Sequence, residues 1–267
     1  MLSDYLDPRL AQLVADFFAR RISTATPTGL SLAEGMAFQE RYVVELGRKL
    51  GPVVGYKAGL VSAASQKRYR TNAPVRGVLL RDMLIPSGTE IPAAFGGRAS
   101  YEADFIVVVK DEGINSARTH LELLQHLSEV VAFIECPDPL TSPELAPTAA
   151  MLAAINVAAR LGVMGQRLPV LPTQEFADAL AHQDFILTDE TGKELVRAKG
   201  TAMLGHPLNV AAWMVQDLNA TGVKLKAGDL LSLGTVSPSV PTKAGQTIHQ
   251  RCEGLPGGTI GASVRFT

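Results

Sequence analysis

The sequence predicts an α+β protein in which two N-terminal helices precede a β-rich body. Residues 1–50 carry apolar side chains at helical spacing together with two helix-start signals. From Gly51 onward the pattern changes to short apolar runs that are broken by Gly and Pro, which is typical of strands and turns. Residues 105–109 are apolar without alternation, as in a strand covered on both faces. We therefore predict a helical cap over residues 1–50 and a β-rich body over residues 51–267.

The cap is predicted to contain two helices. Asp7 as N-cap and Pro8 as the first helical residue start one helix, and a capping box over residues 31–34 starts the other. The second helix is expected to run to about Lys49 and to stop at Gly51. The first helix carries an apolar stripe, which needs either the second helix or a neighbouring subunit as its partner. We expect the protein to be a homo-oligomer and four residues of this stripe to be buried: Leu10, Leu13, Phe17 and Phe18.

The body is predicted to alternate short strands with a few helices. Helices begin at the capping box of Thr119 and at Pro207, and a hairpin spans residues 185–196. Residues 149–165 are small and apolar, and their period does not distinguish a helix from a strand. The remaining apolar runs are predicted as strands, at residues 53–60, 76–80, 105–109, 130–135, 230–236, 247–252 and 262–266.

Three carboxylates stand next to apolar strand sequence. Glu102 and Asp104 are two residues apart, so they point to the same face of a strand, and Glu135 ends another apolar run. Carboxylates in such positions repel one another unless a cation lies between them, and Mg²⁺, Mn²⁺ and Ca²⁺ prefer oxygen ligands. Taken alone, Glu102 and Asp104 are more often solvated acids at a strand entrance. Glu135 alone is more often the partner of a buried Arg or Lys.

Basic residues give two further candidates. Lys57 lies between glycines and apolar residues in a predicted strand, where it either meets an anion or reaches solvent along its stem from an edge strand. Residues 67–70 form a short basic cluster, which marks a solvated loop or an anion contact.

Composition excludes several classes of function. Basic and acidic residues are balanced, 25 against 26, and no basic stripe is present, so nucleic-acid binding has no electrostatic footprint. The two cysteines form neither a disulfide framework nor a zinc motif. The N-terminus has acidic residues where a signal peptide needs basic ones, and no long apolar run follows. We expect a cytoplasmic protein that interacts with neither nucleic acid nor membrane.

Seven short segments follow one another along the chain: GYKAGL at 55–60, EAD at 102–104, Glu135, LGHPLN at 204–209, LKAGD at 225–229, LGT at 233–235 and a closing pattern at 261–266. In this order they resemble the motifs of the bacterial 2-oxopent-4-enoate hydratases and 4-oxalocrotonate decarboxylases of the fumarylacetoacetate hydrolase superfamily. The similarity extends from about residue 30 to the end of the chain, and it depends on the ordered set of motifs because no single one is specific.

The resemblance implies a mixed, rolled β-sheet body that holds one Mg²⁺ or Mn²⁺ through Glu102, Asp104 and Glu135. Asp104 stands where Glu is more usual in the family, which shortens the reach by one methylene. Lys57 matches the active-site lysine of the family, whose partner would be the carboxylate of a 2-oxo acid. The resemblance also places three residues near the substrate: Thr201, Gly234 and Thr235. His206 precedes Pro207 at a predicted helix start, so a structural role is favoured over a catalytic one.

The sequence departs from the hydratases at two positions where proton-carrying aspartates are expected, because it has Val75 and Ile155 there. The main interpretation is a metal-dependent hydratase, a lyase that acts on a small unsaturated 2-oxo acid in aromatic-compound catabolism. The alternatives are a decarboxylase or tautomerase of a related oxo-diacid, or a non-catalytic partner subunit of such an enzyme. A partner decarboxylase or aldolase is compatible with each of them. A buried Lys57 with three retained carboxylates speaks against a purely structural partner.

Overall fold

The computed structural model describes residues 8–267, so the predicted N-cap at Asp7 lies outside the described residues. Within that range the α-helices are α1 Pro8–Ala19, α2 Leu32–Leu50, α3 Ala63–Arg68, α4 His120–Gln125, α5 Ala149–Ala154, α6 Gln174–His182 and α7 Pro207–Ala220. The strands are β1 Val53–Gly59, β2 Val75–Leu80, β3 Leu84–Pro86, β4 Glu90–Ile91, β5 Ser100–Val109, β6 Leu127–Cys136, β7 Leu161–Pro169, β8 Asp184–Thr188, β9 Glu194–Lys199, β10 Leu230–Ser232, β11 Val240–Pro241, β12 Thr247–Glu253 and β13 Ile260–Phe266.

Both predicted cap helices are present. The capping box of α2 is complete, because the side chains of Ser31 and Glu34 each accept from the backbone N–H of the other. The helix ends before Gly51, whose φ of 78° favours glycine. In the apolar stripe of α1, Leu10, Leu13 and Phe17 are buried in a cluster with α2, whereas Phe18 is half-buried. The partner of the stripe is thus the chain itself. The homo-oligomer stays a prediction, without an exposed stripe on α1 as its physical reason.

The cap is attached to the body by buried polar contacts as well as by apolar packing. Gln39 of α2 donates from Nε2 to the carbonyl oxygens of Arg76 and Ala153, both at 2.8 Å. Arg160 donates to the carbonyl oxygen of Phe17 at 2.5 Å, and its guanidinium lies 4.0 Å from the centre of that ring. We retain the division at residue 50 as a proposal about chain organisation, in which the cap is docked firmly on the body.

Two sheets form the body. The larger is mixed and runs β2-β1-β10-β5-β6-β7-β3, with β11 added beside β5, and the smaller runs β4-β13-β12-β8-β9. They meet where β13 approaches β7, and the backbone N–H of Gly261 in β13 donates to the Gln166 side chain in β7. The predicted hairpin over residues 185–196 is β8 with β9. This architecture confirms the predicted α+β fold.

Strand β5 is covered on both faces, as its continuous apolar run predicts. Phe105 and Val107 point into the large core, which is shared with the smaller sheet and with α4, α6 and α7. Ile106 and Val108 point the opposite way, into a small cluster on the other face of the larger sheet. Since strand side chains alternate, Glu102 and Asp104 share the face of Ile106 and Val108. We call this side the inner face.

Local signals were sufficient for some elements and not for others. The ambiguous segment 149–165 divides into α5, an irregular turn and the start of β7, while β10 ends at Ser232 rather than at residue 236. The helices α3 and α6 were not predicted, although Thr173 caps α6 by accepting from Phe176 N. Within residues 8–267 no helix is long and apolar enough to cross a bilayer.

His206 has the predicted structural role. As N-cap of α7 it accepts through Nδ1 from Leu208 N at 3.0 Å, and its Nε2 lies 3.0 Å from the carbonyl oxygen of Ala177. These two contacts require the tautomer with the proton on Nε2, the nitrogen that faces a carbonyl. Burial lowers the pKa of His206, and the neighbouring His120 adds to that effect, so both favour the neutral ring that the cap needs.

We predict that Gln39→Leu destabilises the whole fold. The substitution leaves two buried carbonyl groups without their side-chain donor, which costs about 1–3 kcal/mol. Urea unfolding measures this change in the free energy of unfolding. Gln125→Leu, an exposed substitution in α4, serves as the control and should change it by less than about 0.5 kcal/mol. Equal effects of the two substitutions would show that Gln39 does not anchor the cap.

Candidate active site

The strand register brings the predicted carboxylates together on the inner face. Strands β5 and β6 are antiparallel, with Glu102 directly opposite Glu135 and Asp104 opposite Phe133. Residues that face each other across such a pair have Cβ atoms about 4.5–5.5 Å apart. Glu102 and Glu135 are therefore neighbours across the two strands, and Asp104 lies two residues further along β5 on the same face.

Lys57 reaches the carboxylates from β1, which is an interior strand between β2 and β10. Its ammonium forms an ion pair with Glu135 and donates to the carbonyl oxygen of Val157 at 2.9 Å. Lys57 is 4% exposed and Glu135 is 5% exposed. The sequence left open whether Lys57 contacts an anion or reaches solvent, and the structure shows the anion contact. It also shows Glu135 paired with a buried cation, as is common for an isolated buried carboxylate.

Asp104 is held differently from the other two carboxylates. The hydroxyl of Ser232 in β10 donates to Oδ2 at 2.5 Å, and the backbone N–H of Phe105 donates to Oδ1 at 2.5 Å. Asp104 is fully buried and does not line the cavity that Glu102 and Glu135 face. Its short side chain keeps the carboxylate close to its own strand, whereas a Glu at this position would reach further.

The charges of this cluster are not balanced. Burial and the neighbouring carboxylate of Glu135 together raise the pKa of Glu102 to about 8 and that of Asp104 to about 7, although Lys57 opposes the shift. When ionised, three carboxylates and one ammonium leave two negative charges in a region of low dielectric. A hard divalent cation would neutralise them, and its preferred ligands are carboxylate oxygens.

The donor set therefore fits such a cation in its chemistry, its charge and its placement on one face of two neighbouring strands. The present side-chain positions are set by other partners, because Lys57 holds Glu135 and Ser232 holds Asp104. Accordingly, no group of three His, Cys, Asp or Glu residues within 8–267 has a geometry that could hold a metal ion. The ligand set stays a prediction.

A left-handed turn supports Lys57. Asn156, Val157 and Ala158 have φ values of 56°, 51° and 57°, a conformation that is uncommon for residues other than Gly and strained for a β-branched one. The buried side chain of Asn156 holds the turn on β2, since it accepts from Val78 N at 2.7 Å and donates to Val78 O at 2.8 Å. The turn presents the Val157 carbonyl to Lys57. Sequence reasoning missed it, because a run of three left-handed residues has no local signature when none is Gly.

Lys57, Glu102 and Glu135 line a cavity of about 590 Å³. Part of its wall is a proline-rich segment that sequence reasoning also missed, although its prolines recur at odd positions. Every second residue from 137 to 147 lines the cavity. They are Pro137, Pro139, Thr141, Pro143, Leu145 and Pro147.

Of the remaining predicted site residues, one lines the cavity and two do not. Thr235 lines it and donates from Oγ1 to the carbonyl oxygen of Ser237 at 2.9 Å. Gly234 does not line it, and its φ of 92° together with the close approach of Ala58 O explains why Gly is needed there. Thr201 is exposed and lies outside the lining, so its contact with substrate, like that of Gly234, stays a prediction.

Of the two departures from the family pattern, only Ile155 faces the cavity. Val75 is 2% exposed and belongs to the cluster that joins the cap to the body.

Comparisons with known proteins agree with this architecture. A 2-keto-4-pentenoate hydratase from Burkholderia vietnamiensis strain G4 is 32% identical over 218 residues, which is 80% of this chain and 78% of that protein. The chain belongs to the 2-keto-4-pentenoate hydratase family. A 2-oxo-hept-4-ene-1,7-dioate hydratase from Escherichia coli is 27% identical over 242 residues, 86% of each chain. No family model matches the sequence.

Solved structures confirm the fold that is expected of this hydratase family. The 4-oxalocrotonate decarboxylase of Pseudomonas putida G7, complexed with magnesium and adipate, has a TM-score of 0.82 at 22% identity and covers 99% of this chain and 100% of its own. A fumarylpyruvate hydrolase from Pseudomonas aeruginosa has a TM-score of 0.55 at 15% identity, over 79% of this chain and 89% of its own. The rolled-sheet fold of the fumarylacetoacetate hydrolase type is thereby confirmed.

We predict that Asn156→Ala destabilises the protein by about 2–4 kcal/mol. The variant leaves Val78 N–H and C=O without their buried partners, and each such group costs about 1–3 kcal/mol. Urea unfolding is the measurement, with Asn115→Ala as a comparison, since Asn115 also bonds to backbone groups but in a less buried place. An Asn156→Ala variant as stable as the unmodified protein would show that another contact fixes the turn.

Proposed function

We propose that this protein is a metal-dependent lyase that hydrates a small unsaturated 2-oxo acid. The observation that carries the proposal is Lys57, a lysine buried in an interior strand, which faces a cavity together with two carboxylates. Such a lysine is costly without an anionic partner; Glu135 supplies one from within the chain, and the carboxylate of a 2-oxo acid in the cavity would supply a second. Membership of the hydratase family supports the same reaction class.

The carboxylates Glu102, Asp104 and Glu135 are proposed to hold Mg²⁺ or Mn²⁺. Their unbalanced charge and oxygen donors support this set, and the structurally similar decarboxylase was solved with magnesium. A cation bound there would act as a Lewis acid that stabilises negative charge on the 2-oxygen of the substrate. Asp104 would contribute as far as its bond with Ser232 allows.

Lys57 is proposed to bind and orient the carboxylate of the substrate. Its ammonium has three donors, of which Glu135 and Val157 O occupy two. The third donor remains for an oxygen of a ligand in the cavity. A fixed positive charge at that place also favours an electron-rich dienolate over the neutral acid, which is a form of electrostatic catalysis.

The cavity contains few side chains that could transfer a proton to or from the substrate. Ile155 offers no acid or base, and Tyr69 is the phenol that lines the cavity. Burial raises the pKa of Tyr69, so this phenol can donate a proton but does not readily lose one. Glu102, with its pKa near 8, is the other candidate, when it is not bound to metal.

The second candidate function is decarboxylation or tautomerisation of an oxo-diacid, which needs fewer proton carriers. It is favoured by Ile155 and by the fold shared with a 4-oxalocrotonate decarboxylase. A non-catalytic partner subunit is disfavoured, since such a subunit has no need of a buried lysine on a cavity. Assembly as a homo-oligomer, association with a decarboxylase or aldolase, a role in aromatic catabolism and a cytoplasmic location belong to the same proposal.

We predict that the protein binds one divalent cation per chain and that the charge of its inner-face carboxylates is essential. Titration calorimetry of the metal-free protein with Mg²⁺ or Mn²⁺ measures the affinity. Glu102→Gln and Glu135→Gln should each weaken it at least tenfold, because each removes one anionic ligand. Glu129→Gln is the matched control on β6, where Glu129 pairs with Arg167 at the surface. Unchanged affinity in both site variants would remove the proposed metal site.

We predict weak or no turnover of 2-hydroxypenta-2,4-dienoate. General acid–base groups contribute about 10²–10⁴-fold to such reactions, and Ile155 cannot supply one. Ile155→Asp should raise the rate of hydration, as measured by loss of dienoate absorbance, whereas Ile155→Asn is the uncharged control. A rate for the unmodified protein of about 1–10³ s⁻¹, as is usual for enzymes, would show that another group carries the proton.

A further inference from the structure

Two arginines line the cavity in addition to Lys57. They are Arg68, at the end of α3, and Arg98, in the loop before β5. Neither guanidinium forms an ion pair with a carboxylate within residues 8–267, whereas many other arginines in that range do. The cavity therefore has positive charge that the carboxylates of the described chain leave unpaired.

Arg98 is held in place by the buried Asp138 and by the backbone of Thr141. Its backbone N–H donates to Asp138 Oδ1 at 2.9 Å, and its Nη1 donates to the carbonyl oxygen of Thr141 at 3.1 Å. Asp138 is 1% exposed and also accepts from Gly97 N at 3.0 Å. The neighbouring Gly96 leaves room for this carboxylate, because a Cβ there would lie 2.3 Å from Asp138 Oδ2. The proline-rich wall and the Arg98 loop are thus one unit that fixes the guanidinium, whose other N–H groups remain for a ligand.

Arg68 lies on a second fixed element. The α3 helix has a complete capping box of Ser62 and Ser65, and the Arg68 guanidinium lies 5.9 Å from the centre of the Tyr69 ring. Tyr69 is fixed in turn, because its carbonyl oxygen accepts from Ala149 N at 3.0 Å. The Tyr69 phenol is within electrostatic reach of both arginines and also of Glu102 and Lys57. Both sets of charges therefore face the same cavity.

The size of the cavity points in the same direction. At about 590 Å³ it lies within the range of about 300–1,000 Å³ that is usual for drug-sized ligands. A five-carbon acid with its one carboxylate at Lys57 would fill only part of this space and has no second anionic group for the two arginines. A ligand with a second anionic group would occupy both, and Arg is well suited to a carboxylate because it can donate two parallel hydrogen bonds to it.

We propose that Arg68 and Arg98 form a second anion subsite, which binds the distal carboxylate of a dicarboxylic 2-oxo acid. This inference rests on the proposed function, since it assigns the first carboxylate of the ligand to Lys57. Arg98 is the fixed element of the subsite, and Arg68 contributes from the more exposed side. The subsite makes the chain selective for diacids over monoacids of equal length.

The test compares 2-oxoadipate with 2-oxohexanoate, two six-carbon acids that differ only in a distal carboxylate against a methyl group. Titration calorimetry of the full-length protein with saturating Mg²⁺ should give at least tenfold tighter binding of the diacid. Arg98→Gln and Arg68→Gln should each weaken diacid binding by about tenfold, as expected for a lost charge-assisted bond, and leave monoacid binding unchanged. Arg70→Gln is the matched control, because Arg70 is exposed and outside the cavity lining.

Equal affinities of the unmodified protein for the two acids would overturn the subsite, as would equal losses of both acids in Arg68→Gln and Arg98→Gln. If Arg98→Gln does not fold, Arg68→Gln decides the matter, because Arg68 is exposed. Lys57→Met separates this inference from the proposed function, since it should weaken both acids and keep their ratio. If the binding of both acids depends on Lys57 but not on the arginines, the subsite is wrong and the proposed function is retained. Binding of neither acid would overturn both.

Discussion

The ion pair between Lys57 and Glu135 lies inside a sheet whose other inner-face residues are largely apolar, and both side chains are about 5% exposed. Removing two charges from water costs several kcal/mol per ion, which only good geometry and further hydrogen bonds can offset. The Val157 carbonyl supplies one such bond. Glu102 faces Glu135 across the two strands, and Asp104 lies two residues further along β5. When ionised, they add negative charge that Lys57 cannot balance. A cluster of this composition contributes little to stability. Its charges are suited to binding a cation together with an anionic ligand.

The turn that presents Val157 to the lysine connects the site to the helical cap. Three consecutive left-handed residues are not stable by themselves, so the surrounding structure must hold them. Asn156 ties the turn to β2, and α5 leads directly into it. Gln39 of the cap bonds to both of these supports, at Arg76 of β2 and Ala153 of α5. The two N-terminal helices therefore contribute to the site without touching the cavity, since they fix the elements between which the turn is held.

The cavity combines a polar base with a stiff, largely apolar wall. Proline fixes φ and lacks an N–H group, so a wall that contains four prolines between residues 137 and 147 presents few donors and little freedom to the ligand. Asp138 fastens this wall to the loop of Arg98, which couples the position of a charged group to that of the wall. Selectivity in such a cavity comes from a few fixed charges rather than from general hydrophobicity. We propose that catalysis depends on Lys57, Glu102 and Glu135 at the base of this cavity.

Elements and residues with local signals could be predicted from the amino-acid sequence. Capping boxes at Ser31 and Thr119 and the unbroken apolar run of β5 were sufficient to predict α2, α4 and a strand buried on both faces, because these signals involve neighbours along the chain. Motif order also identified Lys57, Glu102 and Glu135, which the structure brings to one cavity. Three other features depend on the folded chain: Lys57 pairs with Glu135, Asp104 bonds to Ser232, and Arg98 lines the cavity. Residues 57 and 135 lie on strands separated by two others, and register across a sheet is fixed by packing and hydrogen bonding of distant segments.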